Sequence, residues 1–503
     1  MMLIFSPRWR TGCAAFAAMG LASALLAACS PKPPPKQAAL KLESCTIKQV
    51  DTAARCGLLQ VPQDHAQPDS GKMVSIHVAV LPAMARHAEP DPLYLLAGGP
   101  GQAASDLGAL VSVLHTVRRS RDIVLVDQRG TGQSKTLTCD LRPSLDSSGD
   151  AGRKVDVVTQ ILTENDAQSL QDWAHCIATI EGNPKTARTD DYVDDLESVR
   201  KALGQRQINL WGGSYGTRVA LRYMKRYPGS IRSAVLDSVA PTAWRLPDDA
   251  LTSSEAELRQ TLAACSVSPA CAQNLPDALA QFDQLLSTLH AQPRRVSLRH
   301  PATGQTVEGT ISRRSVIMLL WQLLYRPDTE RLIPQLVKQA NAGDFAPLLS
   351  LAASGPQVEN IAMVQRFAVM CAEDMLGRTP PVNPRFQSIT DMFYSFCQDF
   401  PHGTVEPEFY EPTRSHIPTL LLSGALDPVT PPAQAALAAQ TLSRSKHYTV
   451  GGMGHIVTPQ ACVRSIVTRF VEEGDIPATD AACTERMDLP RPLFYISALE
   501  AQP

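Results

Sequence analysis

Beyond Cys56 the chain alternates short apolar runs with stretches of helical spacing. "GLLQVP" and "MVSIHVAVLPA" predict an opening pair of strands, the second switching between apolar and polar positions. "PLYLLAGGPG" reads as an apolar strand that ends in a glycine turn, and "DIVLVDQRGTGQS" as a buried strand leaving into a polar loop. In "DYVDDLESVRKALG", Val193, Leu196, Val199 and Leu203 share one helical face and Gly204 is a stop signal. "INLW" then runs into glycines around one serine, a helical pattern follows, and "RSAVLDSVAP" supplies another strand. Repeated strand, loop and helix predict an α/β fold with a mostly parallel sheet covered on both faces.

At Pro241 the pattern changes. As far as Thr413 it is largely helical, as in "LPDALAQFDQLLSTLH" and "SRRSVIMLLWQLLYR", and buried apolar strands are scarce. The α/β rhythm returns at "IPTLLLSGALDPVTPP" and "HYTVGGMGHIV". The predicted organisation is a core in two parts, 43–240 and 414–503, with a helical lid, 241–413, inserted after one strand.

The first residues follow a different logic. Arg8 and Arg10 precede an uncharged Ala/Leu-rich run from Thr11 to Ser30, the layout of a secretory signal. A membrane-spanning anchor is the other reading, but Ala and Gly make the run only mildly apolar. It ends in "LAAC", which resembles a bacterial lipobox and implies a signal over 1–28 with Cys29 lipid-modified. Pro-rich "SPKPPPKQ" follows, part of an extended tether over 29–42. Ser30 after the cysteine resembles the signal for outer-membrane sorting. The expected location is therefore the bacterial cell envelope, with a lipid anchor.

A formal charge of −2, with 44% hydrophobic and 19% charged residues, describes a near-neutral globular chain without the basic excess of a nucleic-acid binder. Of twelve cysteines, Cys13 lies in the signal and Cys29 at the lipid site, which leaves an even ten for an oxidised framework. Spacing does not decide connectivity. Joining neighbours gives Cys45–Cys56, Cys139–Cys176, Cys265–Cys271, Cys371–Cys397 and Cys462–Cys483. No Cys-x-x-Cys or His-rich cluster suggests a metal, and no cofactor is expected.

The serine turn carries the candidate chemistry. "GGSYG", Gly212 to Gly216, fits the G-x-S-x-G pattern, in which a tight strand-to-helix turn lifts a serine above the sheet. A side chain at Gly212 or Gly216 would collide with a neighbouring element. Ser214 needs a base, and the base needs an acid to orient it. In this architecture the acid and then the histidine follow on late loops. Asp427 in "SGALDPVTP" and His455 in "GGMGHIV" occupy those places. Asp237 in "LDSVAP" also follows a strand and competes for the acid role, but the strand before Asp427 is expected beside the histidine's. Oxyanion donors are expected from the Tyr215 N–H and from "GGPG", where Pro100 has no N–H and Gly99, or else Gly98, must donate.

"AGGPG", "DQRGTGQS", "GGSYGT", "LDPVTP" and "GGMGH", in this order, resemble the prolyl and tripeptidyl aminopeptidase family of α/β-hydrolase serine peptidases. "CGLLQVPQDHAQP" and "MCAED" are similar to its larger, secreted tripeptidyl-aminopeptidase-like branch. The resemblance runs from about Cys45 to the C-terminus and is loose through the helical insert. It implies cleavage near a free peptide N-terminus through an acyl-enzyme on Ser214, with short peptides as substrates. The shorter prolyl branch usually has histidine before its Gly-Gly-Pro-Gly; here Ala97 stands there, which weakens any transfer of proline specificity. A substrate ammonium needs a carboxylate, and Glu373 or Asp374 of "CAED", under the roof of the insert, are the candidates. A carboxylesterase using the same triad is the alternative, since the fold hosts both. A non-catalytic binding protein is opposed by the complete Ser214, Asp427 and His455 set.

Overall fold

The structure, a computed structural model, describes residues 40–140, 158, 161–162, 166–300, 303–354, 361–383 and 385–476. The expected signal, the tether, Cys13, Cys29 and Cys483 lie outside the described residues. Strands β1 (Glu43–Cys45), β2 (Ala54–Pro62), β3 (Met73–Leu81), β4 (Leu93–Leu96), β5 (Ile123–Val126), β6 (Ile208–Gly213) and β7 (Ile231–Asp237) lie in the first part of the chain. Hairpin strands β8 (Arg294–Arg299) and β9 (Thr306–Ile311) follow, then β10 (Thr419–Gly424) and β11 (Ser445–Val450).

Nine of these strands form one sheet in the order β1-β2-β3-β5-β4-β6-β7-β10-β11. The pairings among β1, β2, β3 and β5 are antiparallel, and every pairing from β5 through β4 to β11 is parallel. In the parallel part "LYLL" and "IVLV" are buried at every position, because helices cover both faces and leave no solvent side to mark with polar residues. Tyr94 and Leu96 join one core with Val193, Leu196 and Val199 of the helix Thr189–Ala202 and with Val219 and Tyr223 of the helix Tyr215–Arg226. Leu93 and Leu95 join the opposite core with Leu110, Val111, Val463, Ile466 and Phe470. One strand residue faces up and the next down.

Between β7 and β10 the chain is mainly helical, but the hairpin β8–β9 was not anticipated. Its strands "RRVSLR" and "TVEGTI" are mostly solvent-facing, so no buried apolar run marked them. The helices have a core of their own, and the segment before β6 joins it through Leu137, Trp173, Cys176 and Ala187. Trp173 stacks on Phe396 and Phe400 and donates its Nε1–H to the Phe396 carbonyl at 2.7 Å. The roof therefore draws on both the 241–413 insertion and the stretch leading to β6.

Four of the five neighbour disulfides are formed: Cys45–Cys56, Cys139–Cys176, Cys265–Cys271 and Cys371–Cys397. Cys462 is also disulfide-bonded.

Candidate active site

At the end of β6 the chain reverses into the helix Tyr215–Arg226 within one residue. Ser214 takes φ 55° and ψ −124°, a left-handed conformation that costs a non-glycine residue energy and is typical of functional turns. A Cβ on Gly216 would sit 2.2 Å from the Leu96 carbonyl oxygen, and one on Gly212 would sit 2.4 Å from that of Gly216. Glycine is required at both places. The Ser214 N–H donates to the Asp237 carbonyl at 2.9 Å, and Thr217 fixes the Ser214 carbonyl through its N–H and its hydroxyl.

Asp427 follows β10 and is buried. Its carboxylate accepts from the Val429 N–H, the Thr430 N–H and the Thr430 hydroxyl, each at 2.9 Å. His455 follows β11 and directs Nδ1 at both carboxylate oxygens of Asp427, at 3.0 and 2.9 Å. That bond puts the proton on Nδ1 and leaves Nε2 as the basic nitrogen. Burial raises the Asp427 carboxyl, but the His455 charge and the hydrogen bonds outweigh it and hold the group below its usual range. Burial likewise lowers the imidazolium, and the Asp427 charge and hydrogen bond outweigh it and hold His455 above its usual value.

Asp237 does not compete for the histidine. Its carboxylate accepts from the Val457 N–H at 3.0 Å, the Thr458 N–H at 2.8 Å and the Thr458 hydroxyl at 2.6 Å. Ser238 accepts from the Ile456 N–H at 2.9 Å. The end of β7 thus grips the loop of His455 with side chains and the serine turn with a backbone carbonyl. This ties the two loops to one place on the sheet.

Across the serine, Gly98 approaches so closely that a Cβ would lie 3.2 Å from the Ser214 Cβ. The Gly98 N–H is taken by Gln102 Oε1 at 3.2 Å. The Gly99 and Tyr215 N–H groups have no acceptor among the described residues, which leaves this pair for a developing oxyanion. Ile361 and Ala362, at the start of the helix Met363–Met370, close over Gly99 and Gly101. Tyr325 closes over the histidine: its ring meets the imidazole edge-on at 5.4 Å, and its carbonyl accepts the His455 N–H at 3.2 Å.

Glu373 and Asp374 are built into a different arrangement from the one expected. Both side chains are fully buried in a π-helical turn, Cys371–Met375, against the equally buried Arg218 at 3.3 and 3.1 Å. Glu373 also accepts from the Thr189 N–H at 2.6 Å and the Thr189 hydroxyl at 2.8 Å. The charge expected to hold an ammonium is instead turned onto Arg218, one cation shared by two acids. Burial and the neighbouring Asp374 push the Glu373 carboxyl up to about 7 against the pull of Arg218. The Thr189 hydroxyl continues to the Tyr215 phenol at 2.8 Å, so the cluster lies behind the residue next to the nucleophile.

Sequence reasoning missed these supports. Thr430, three residues after Asp427, was the most accessible, since Asp-x-x-Thr in a turn is a local capping pattern. The "DQRGTG" stretch also has a structural basis. Asp127 accepts from His77 Nδ1 at 3.0 Å and the Ser105 N–H at 2.8 Å, while Arg129 forks onto Asp195 at 2.8 and 2.6 Å.

The sequence pattern of a family described as alpha/beta hydrolase fold matches residues 91–460. "Serine protease Hip1" of Mycobacterium tuberculosis is 26% identical over 486 residues, spanning 86% of this chain and 88% of that protein. "Tripeptidyl aminopeptidase" of Streptomyces lividans is 28% identical over 202 residues, 37% of this chain and 35% of that protein. "Proline iminopeptidase" of Aeromonas sobria is 27% identical over 184 residues, 36% of each.

Proposed function

The chain belongs to the α/β-hydrolase fold family, and from that premise we propose that this serine hydrolase is a peptidase releasing N-terminal residues or short peptides from substrates with a free N-terminus. One observation carries the reading: a buried Asp427, an oriented His455 and a strained Ser214 stand with two free N–H donors, in a chain whose relatives include named peptidases.

His455 Nε2 takes the Ser214 proton as Oγ attacks the scissile carbonyl, and Asp427 stabilises the imidazolium that results. The Gly99 and Tyr215 N–H groups receive the oxyanion of the tetrahedral intermediate. The imidazolium then protonates the leaving amine, which departs and leaves an acyl ester on Ser214. Water, activated by the same histidine, releases the acyl fragment and restores the hydroxyl. We place the enzyme in the cell envelope, anchored through lipid on Cys29. The "LAAC" sequence supports this.

The test compares chromogenic mono-, di- and tripeptide amides, with free and acetylated N-termini, and a short-chain ester, using Ser214→Ala as control. Cleavage restricted to free-amine peptides supports the proposal, and the preferred length names its type. Ester turnover with every peptide untouched would replace it with the carboxylesterase. Retention of the cysteine in the membrane fraction, lost in Cys29→Ala, tests the anchor.

A further inference from the structure

Four buried arginines among the described residues face carboxylates. Arg129 meets Asp195, Arg218 meets Glu373 and Asp374, Arg222 meets Asp190, and Arg121 meets Asp91. Arg366 is different. It lies on the helix Met363–Met370, is half-buried, and its side chain has neither a hydrogen-bond partner nor a carboxylate within ion-pair distance among the described residues. Its guanidinium carbon is 5.6 Å from the Phe393 ring centre, and its Nε is sealed from solvent. Burial pulls it below the usual arginine range, with only Tyr325 pulling the other way.

Its place in the roof gives this meaning. Ile361 and Ala362, one turn before it, cover the oxyanion glycines, and the Arg366 N–H donates to the Ala362 carbonyl at 2.8 Å. Tyr325, its electrostatic neighbour, covers His455. Arg366 therefore stands on one of the two roof elements that close over the reacting atoms and within electrostatic reach of the other. The adjacent Gln365 is wholly buried, and both its amide atoms lack a partner among the described residues. Only Nε is sealed, so the terminal guanidinium nitrogens stay open to a ligand; a partly desolvated cation without a counter-charge is costly, and an anionic ligand would reduce that cost.

We propose that Arg366 is a carboxylate-binding residue of the substrate cleft, receiving a peptide's C-terminal carboxylate or an acidic side chain on its guanidinium fork. The assignment rests on the peptidase reading only in taking the ligand to be a peptide. A C-terminal carboxylate held there would favour short substrates, because the distance from roof to serine would limit the chain between them.

The test is competitive inhibition of p-nitrophenyl acetate hydrolysis by the full chain, so that it does not depend on peptide cleavage. One probe pair is tetra-alanine and its C-terminal amide; the other is an amidated tetrapeptide carrying Glu or Gln. Active sites are counted with a fluorophosphonate. In the wild type the carboxylate member of at least one pair should inhibit about tenfold more strongly, a difference of about 1.4 kcal/mol. Arg366→Gln should bring that pair within twofold, while Arg366→Lys keeps part of the preference. The pair that responds identifies the end of the chain or the side chain as source. Equal inhibition within both pairs in the wild type overturns the proposal. So does a preference that survives in Arg366→Gln or, if that variant does not titrate, one undiminished in Arg366→Lys. Loss of the peptidase reading would instead appear as ester turnover with all peptides intact.

Discussion

Replacing Asp427 and Asp237 in turn by asparagine separates the chemistry of the site from its scaffold. In Asp427→Asn one carboxylate oxygen remains for the Val429 and Thr430 N–H groups, which both use Oδ1. The new NH2 then faces His455 Nδ1, where Oδ2 stood at 2.9 Å. Two donors cannot share that contact. The imidazole must move its proton to Nε2 and accept at Nδ1, and it is then no longer a base toward Ser214. Loss of the oriented tautomer costs a triad on the order of 10⁴-fold in kcat, about 5.4 kcal/mol of barrier. Asp237→Asn keeps the backbone carbonyl that holds the Ser214 N–H. Its amide can still donate to the Thr458 hydroxyl, which already accepts from Trp211 Nε1 at 3.0 Å, but the Thr458 N–H loses its acceptor. One orphaned buried donor costs about 1–3 kcal/mol of stability. The assay is kcat for a chromogenic ester, normalised to titrated active sites, beside a thermal melt. Asp427→Asn should lose roughly four decades of kcat; Asp237→Asn should melt several degrees lower and lose less than about 100-fold in kcat. A larger kcat loss in Asp237→Asn than in Asp427→Asn would refute the assignment of the acid.

Ser214→Ala and His455→Ala should each abolish turnover while leaving the melt within a few degrees of wild type. Because His455 is held above its usual value by Asp427, kcat/KM should rise with pH through a midpoint above about 6.5, since only the neutral imidazole accepts the serine proton; a midpoint below that value contradicts the geometry. Gly216→Ala must drive a methyl into the Leu96 carbonyl and should cost at least about 3 kcal/mol, read as failed expression or a collapsed melt. Glu373, with its native carboxyl raised to about 7, stabilises the fold below the unfolded carboxyl range, and that contribution is lost as pH climbs through 7. Relative to wild type, Glu373→Gln should therefore gain Tm between pH 5 and pH 8, and a difference that stays constant over that range would show the carboxylate to be ionised throughout.

The parts of the site legible in sequence are those that a few consecutive residues can dictate. Gly212 to Gly216 encode a turn because the constraint is local; Asp427 was readable because it follows the buried apolar run of β10, and His455 because it stands in a glycine-rich loop after a strand. Partnerships across the fold were not readable. "CAED" announces two acids, but nothing nearby reveals that Arg218, more than 150 positions earlier, pairs with both in the interior. Likewise Asp237 was recognised as a residue after a strand, while its three donors sit more than 200 positions away. The centre of the sheet was legible because continuous apolar strands are distinctive, whereas the short, solvent-facing edge strand β1 was not. Hairpin β8–β9 escaped because a solvent-facing ribbon has no such run.

Trp173 between Phe367, Phe396 and Phe400 has a consequence for anyone recombining this scaffold. The helices after β7 look like a cassette that could be exchanged between relatives at the ends of β7 and β10. They are not separable at those points. Excision there would strip the Trp173 indole of its stacking partners and its acceptor. A working chimera of this chain has to carry residues 137–187 with the insertion, so its roof can be exchanged only as two segments moved together.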